Sequence, residues 1–136
     1  MERKLAALVR RRANHACEYC RFPESQSRLP FLIDHIRARQ HKGKTTAANL
    51  ALACPSCNLH KGPNLTGIDD ETGRVVRLFN PRRQRWADHF RWEGLRVVGM
   101  TSVGRVTVEV LSINDPRQLI ARLELVRSGW SLSDLA

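Results

Sequence analysis

The chain has 136 residues, 42% apolar and 6% aromatic, and its 23 Lys and Arg against 13 Asp and Glu give a formal net charge of +10. That length suits one compact domain with a thin core and excludes two ordinary domains, while the charge favours an extended polyanion as partner through counterion release. No apolar run reaches the roughly 18 to 20 residues of a membrane span, and the N-terminal MERKLAALVRRR lacks the apolar stretch of a signal peptide, so a cytoplasmic location without membrane association is expected.

Residues Glu2 to Ala13 suit a helix, with Leu5, Leu8 and Val9 at helical spacing and Arg10, Arg11 and Arg12 at the end that tolerates cations. Arg21 to Arg28 is a loop, and Leu29 to Ile36 is apolar and partly β-branched, as a buried strand is. Arg37 to Ala48 is a polar, basic loop, and Asn49 to Ala53 is a short second strand that delivers Cys54. A brief helix from Cys57 through Lys61 ends at Gly62 and Pro63. Thr66 to Gly73 reads as a turn-rich connection and Arg74 to Phe79 as a strand; Asn80-Pro81 then opens a basic stretch that becomes a helix through Phe90. Leu95 to Met100 and Arg105 to Ile113 are valine-rich and alternate around Gly99 to Gly104, which predicts a hairpin. Asp115 and Pro116 supply an N-cap and a first-turn proline for a helix through about Val126. The fold class is α+β: an N-terminal helix, a strand, loop, strand and helix core, and a C-terminal β-hairpin plus helix.

In the cytoplasm thiols stay reduced, so four cysteines in two pairs are better read as metal ligands than as disulfides. Two residues between cysteines let both thiolates of a knuckle reach one ion, and Cys17/Cys20 with Cys54/Cys57 have that spacing. A zinc bound by four thiolates has no open position for water, which assigns it to folding and not to catalysis. Such a cross-link helps a thin core, and it would pin Asn58 and Lys61 against the Asp34-His35 strand.

Hydrolysis of a phosphodiester needs a deprotonated water, neutralised phosphate charge and a stabilised leaving alkoxide. A neutral imidazole accepts a proton near pH 7. A hard divalent ion such as Mg²⁺ or Mn²⁺, held by one carboxylate and an amide oxygen, serves the other two needs. His35, Asp34 and Asn58 supply that set. Neighbours on a strand point to opposite sides, so Asp34 and His35 can share one site only if the strand ends or bends there.

Taken together, Cys17-x-x-Cys20, Asp34-His35-Ile36, Asn49-Leu50-Ala51 and Cys54-x-x-Cys57-Asn58-x-x-Lys61-Gly62 resemble the HNH endonuclease family in its four-cysteine version. The resemblance covers roughly residues 15 to 63, and residues 64 to 136 are read as a C-terminal extension within a single unit of residues 1 to 136. It implies a ββα-metal fold, His35 as general base, Asp34 and Asn58 as ligands of the catalytic metal, and Asn49 as a tie on the loop that carries His35. The final histidine of the family's name is replaced by Asn58 with His60 close by, so His60 is the alternative second ligand. Lys61 is the expected phosphate contact near the site. Arg82, Arg83 and Arg85 are expected to line a nucleic-acid groove, whereas Trp86, Phe90 and Trp92 are expected in the core.

These residues lead to a metal-dependent nuclease, and the resemblance implies that it is an endonuclease acting on double-stranded DNA. The alternative is a non-catalytic zinc-knuckle module that binds nucleic acid, which shares the charge and the cysteines but has no chemical need for Asp34, His35 and Asn58. Whether one strand or both is cut depends on whether two copies assemble as a homodimer, and the sequence leaves this open.

Overall fold

The computed structural model describes residues 1–135. Helix α1, Arg3–Arg12, buries Val9 and rests Leu5 on the core. Its arginine run is not simply a solvated face. Arg10 donates to the Phe31 carbonyl at 3.0 Å, and Arg12 donates to the carbonyls of Ala47 and Leu50, both at 2.6 Å. The end of α1 therefore holds two loops that flank the next hairpin.

That hairpin is β1, Leu32–His35, antiparallel to β2, Leu50–Ala53, with Leu32 opposite Ala53 and His35 opposite Leu50. Every residue of β2 is buried, because α1 covers it on one side and α2, Pro55–Lys61, packs beside it. Strand β1 starts later than expected, since Pro30 cannot donate to the ladder. Cys54 caps α2, its sulfur accepting from the Cys57 N–H at 3.3 Å, and Pro55 opens the first turn. These two strands and helix are the expected ββα core. The first knuckle is stitched to it: Glu18 N–H donates to Leu52 O at 2.8 Å and its carboxylate accepts from Leu52 N–H at 2.9 Å.

Beyond residue 65 four sequence expectations are corrected. Part of the Thr66 to Gly73 connection is a strand: β3, Thr66–Ile68, pairs with β4, Val75–Arg77. Gly67 permits this, because a Cβ there would lie 2.6 Å from Val106 and 2.7 Å from Val110 on the helix that covers the strand. The helix expected through Phe90 shrinks to α3, Trp86–His89. The C-terminal hairpin comes earlier than expected, pairing β5, Phe90–Glu93, with β6, Arg96–Gly99, around Gly94 at φ 59°.

Residues 105 to 113, expected as the second strand of that hairpin, lie mostly in α4, Ser102–Val110. Their valines alternate at 106, 108 and 110. However, Val103, Val106, Thr107 and Val110 also fall at helical spacing, and Thr101 caps the helix by accepting from Gly104 N–H at 3.1 Å. The cap decides between the two periods. Helix α5, Pro116–Arg127, follows the Asp115 cap, whose carboxylate accepts from Arg117 N–H at 2.9 Å.

Buried residues from α1, both knuckles, β2, β5, β6 and α4 form one contiguous cluster, with Trp86 and Phe90 inside it and Trp92 half-buried at its edge. No helix among the described residues is long and apolar enough to cross a membrane.

Asp69 ties the turn after β3 to α4. It receives a two-pronged grip from Arg105, at 3.1 and 2.9 Å, and accepts from Thr72 Oγ1 at 3.0 Å. The guanidinium holds its carboxyl down to about 2. A lowered folded-state pKa contributes stability that is present above the ordinary carboxyl value near 3.9 and is lost as pH falls through about 2. Asp69→Asn is therefore expected to lower the melting temperature at pH 7, with the gap to the wild type closing by pH 2 to 3 in thermal melts across that range.

Candidate functional site

The four cysteines converge, all buried, with one sulfur from each lying within 4.8 Å of the others. Zn–S bonds of about 2.3 Å in a tetrahedron place sulfurs about 3.8 Å apart, and the Cys20 and Cys54 sulfurs are 3.7 Å apart. Within each knuckle a backbone N–H faces a sulfur: Cys20 N–H on Cys17 at 3.4 Å and Cys57 N–H on Cys54 at 3.3 Å. Donor set, spacing and amide orientation fit a closed structural zinc.

Asp34, His35 and Asn58 line one open cleft of about 340 Å³, with Ala38, Arg39 and Gly62 around it. His35 is the last residue of β1, where the chain bends, and this lets two strand neighbours reach the same cleft. His35 Nε2 lies 2.8 Å from Thr45 Oγ1. With the proton assigned to Nε2 and donated to the threonine, Nδ1 keeps its lone pair. Asn49 fastens the intervening loop: its Nδ2 donates to the carbonyls of Arg37 and Lys44 at 3.0 and 2.8 Å, and its Oδ1 accepts from Arg37 N–H at 2.9 Å. Gly43 closes that loop where a Cβ would stand 1.7 Å from the Arg37 carbonyl oxygen.

Asp34 is only 6% exposed. Tyr19, from inside the first knuckle, donates its hydroxyl to Oδ2 at 2.8 Å, and the Lys61 ammonium lies 3.2 Å from Oδ1 and 3.1 Å from Oδ2. Burial raises the Asp34 carboxyl above its ordinary value, and Lys61 and Tyr19 oppose that rise. The same arrangement pushes the Tyr19 phenol well up, chiefly by burial and then by the facing carboxylate.

Lys61 departs from its expected role. It is 1% exposed and also donates to the His35 carbonyl at 3.1 Å, so it braces the two site residues and does not reach out to phosphate. Arg82 is likewise committed, in an ion pair with the buried Glu18. Arg83 and Arg85 are exposed but stand outside the His35 cleft. His60 is also outside, its Nδ1 turned back 2.8 Å from the Ser56 carbonyl, whereas the Asn58 amide makes no side-chain hydrogen bond among the described residues. Tyr19 and Thr45 escaped the sequence reading. Tyr19 at least carried a signal, as a lone tyrosine inside a metal knuckle.

Residues 17–64 match the family model described as HNH endonuclease. This stretch is similar to an HNH domain. Its boundaries enclose both cysteine pairs, β1, β2 and α2, which are the elements that build the cleft. The match supports a nuclease-type enzyme at the level of the family, and HNH domains act on nucleic acid. Neither a curated protein nor a solved structure matches the chain.

Lys61 gives this stretch a strong internal constraint. Removing one partner of a buried ion pair leaves the other charge uncompensated and costs roughly 3–5 kcal/mol. Lys61→Met is expected to destabilise by about that amount in urea unfolding, and adding Asp34→Asn to it should recover part of the loss. Two additive losses would show that the pair does not act as a unit.

Proposed function

We propose that this chain is a metal-dependent endonuclease that hydrolyses phosphodiester bonds in double-stranded DNA, with His35 as general base. The observation that carries this reading is the meeting of His35, Asp34 and Asn58 in one open cleft inside an HNH domain. His35 Nδ1 takes the proton of a water as its oxygen attacks phosphorus. The phosphorus–oxygen bond to the leaving sugar then breaks, and the departing alkoxide takes a proton from solvent. Thr45 keeps the imidazole in the productive tautomer, and Asn49 holds the loop that bears the threonine.

The residues present fit a hard cation. Three of the roughly four lone-pair positions of the Asp34 carboxylate face Tyr19 and Lys61, which leaves one position on Oδ1, and the Asn58 side-chain oxygen has no hydrogen-bond partner among the described residues. A carboxylate and an amide are enough for Mg²⁺ or Mn²⁺, which fill their other positions with water and phosphate. When bound, such an ion neutralises phosphate charge and stabilises the leaving oxygen. Asn58 is the second ligand in preference to His60, which lies outside the cleft.

A non-catalytic nucleic-acid-binding module is the second reading, and the paired, buried state of Asp34 is what favours it. Supercoiled plasmid with added Mg²⁺ or Mn²⁺ separates the two. Nicking by the wild type supports the enzyme, and binding without nicking in either metal supports the module.

A further inference from the structure

A second cleft, about 650 Å³, is lined by other residues of the loop that Asn49 fastens. Arg37, Lys42 and Lys44 line it from the loop, and Arg77 and Arg83 line it from the chain beyond the HNH domain. No Asp or Glu among the described residues lines it. Among the described residues none of these five cations is paired with a carboxylate, although Arg10, Arg82, Arg91 and Arg105 elsewhere all are. Like charges in one concavity repel each other and destabilise the fold unless an anion enters between them. The floor adds Asn64, Asn80 and Gln84, and Gln84 already accepts from Asn80 N–H at 2.9 Å.

The loop is divided between the two clefts: Ala38, Arg39 and Gln40 line the His35 cleft, and Arg37 and Lys42 to Lys44 line this one. Because one loop lines both clefts, a strand with a phosphate at His35 that continues over the loop leads toward the cationic cleft. We propose that the cationic cleft binds the sugar-phosphate backbone of the nucleic acid that the His35 cleft acts on, so that Arg77 and Arg83 of the C-terminal extension supply two of the five cations of the track. This rests on the reading of the chain as a nuclease, and it gives that reading a footprint extending beyond residues 17–64.

Its test is binding to a labelled duplex DNA, measured as affinity against salt with no Mg²⁺ or Mn²⁺ added. The slope of log K on log salt is about 0.9 per phosphate contact on B-DNA. Arg77→Ala/Arg83→Ala is expected to weaken binding about 10-fold or more near 0.1 M salt and to reduce the slope by about 2. Arg77→Glu/Arg83→Glu is expected to weaken it further. Arg117→Ala/Arg127→Ala, which removes two exposed arginines of α5, should leave the slope unchanged. Both positions in the cleft are exposed, and circular dichroism should show the wild-type fold in all three variants.

An unchanged slope in folded Arg77→Ala/Arg83→Ala, or no duplex binding by the wild type, overturns the track. Plasmid nicking by the wild type is scored separately. Nicking with an unchanged slope sinks the track alone, while a reduced slope without nicking keeps the track and sinks the nuclease.

Discussion

His35→Ala is expected to slow plasmid nicking in Mg²⁺ or Mn²⁺ by about 10²- to 10⁴-fold, the usual contribution of a positioned general base, while duplex affinity stays at the wild-type value. The separation follows from where the side chain sits. His35 ends β1 with its ring in the open cleft, and its backbone carbonyl, not its ring, receives Lys61. Truncation to alanine therefore removes the proton acceptor and the contact with Thr45 but leaves the ladder to Leu50 and the brace on Asp34. The strand needs no side chain at that position to form. If nicking and binding fall together, the residue is holding the domain's shape or its DNA and not moving a proton. If His35→Ala nicks as fast as the wild type in both metals, His35 is not the base and the proposed chemistry fails.

The elements legible in the sequence are those whose signals are short-range and unambiguous. The Cys-x-x-Cys spacing, the Gly62 that ends α2, and the Asp115-Pro116 cap each have one physical meaning, and each element appears at or near its expected place. The failures fall where one pattern satisfies two periods or where a distant partner decides. Val106, Val108 and Val110 suit a strand as well as a helix until Thr101 caps the turn ahead of them, and β3 depends on α4 lying against Gly67.

The candidate site divides in the same way. Residues defined by their own chemistry, His35, Asp34 and Asn58, could be named from the chain alone, and they line one cleft. Residues defined by what they touch could not. Lys61 carries a charge that reads as a phosphate contact, and only its burial against Asp34, 27 positions away, turns it into a brace. Arg82 is taken out of the groove by Glu18 across 64 positions, and no local pattern encodes that pairing. Adjacent Arg83, with no such partner, stays exposed on a cleft wall.

Stripping zinc with a strong chelator, or replacing Cys57 by serine, is expected to unfold the chain and not merely inactivate it. Four thiols held within 4.8 Å in a buried place make a poor core without a cation. Hydrogen bonding among them pulls the Cys20 thiol down, chiefly through Cys17, and pushes Cys54 and Cys57 up, chiefly through the same residue. Structural zinc contributes on the order of 10 kcal/mol or more in finger peptides, comparable with the 5–15 kcal/mol of a whole domain. Far-UV circular dichroism during chelation should therefore lose its helical signal in a metal-dependent transition, with about one zinc released per chain. The loss reaches the cleft by two short covalent paths. Tyr19, which orients Asp34, lies between Cys17 and Cys20, and Asn58 directly follows Cys57. A stripped chain that keeps its dichroism and still melts cooperatively would make the cysteine cluster dispensable for folding. The alignment of Asp34 with Asn58 would then have to come from the β1–β2 ladder and the Lys61 brace alone.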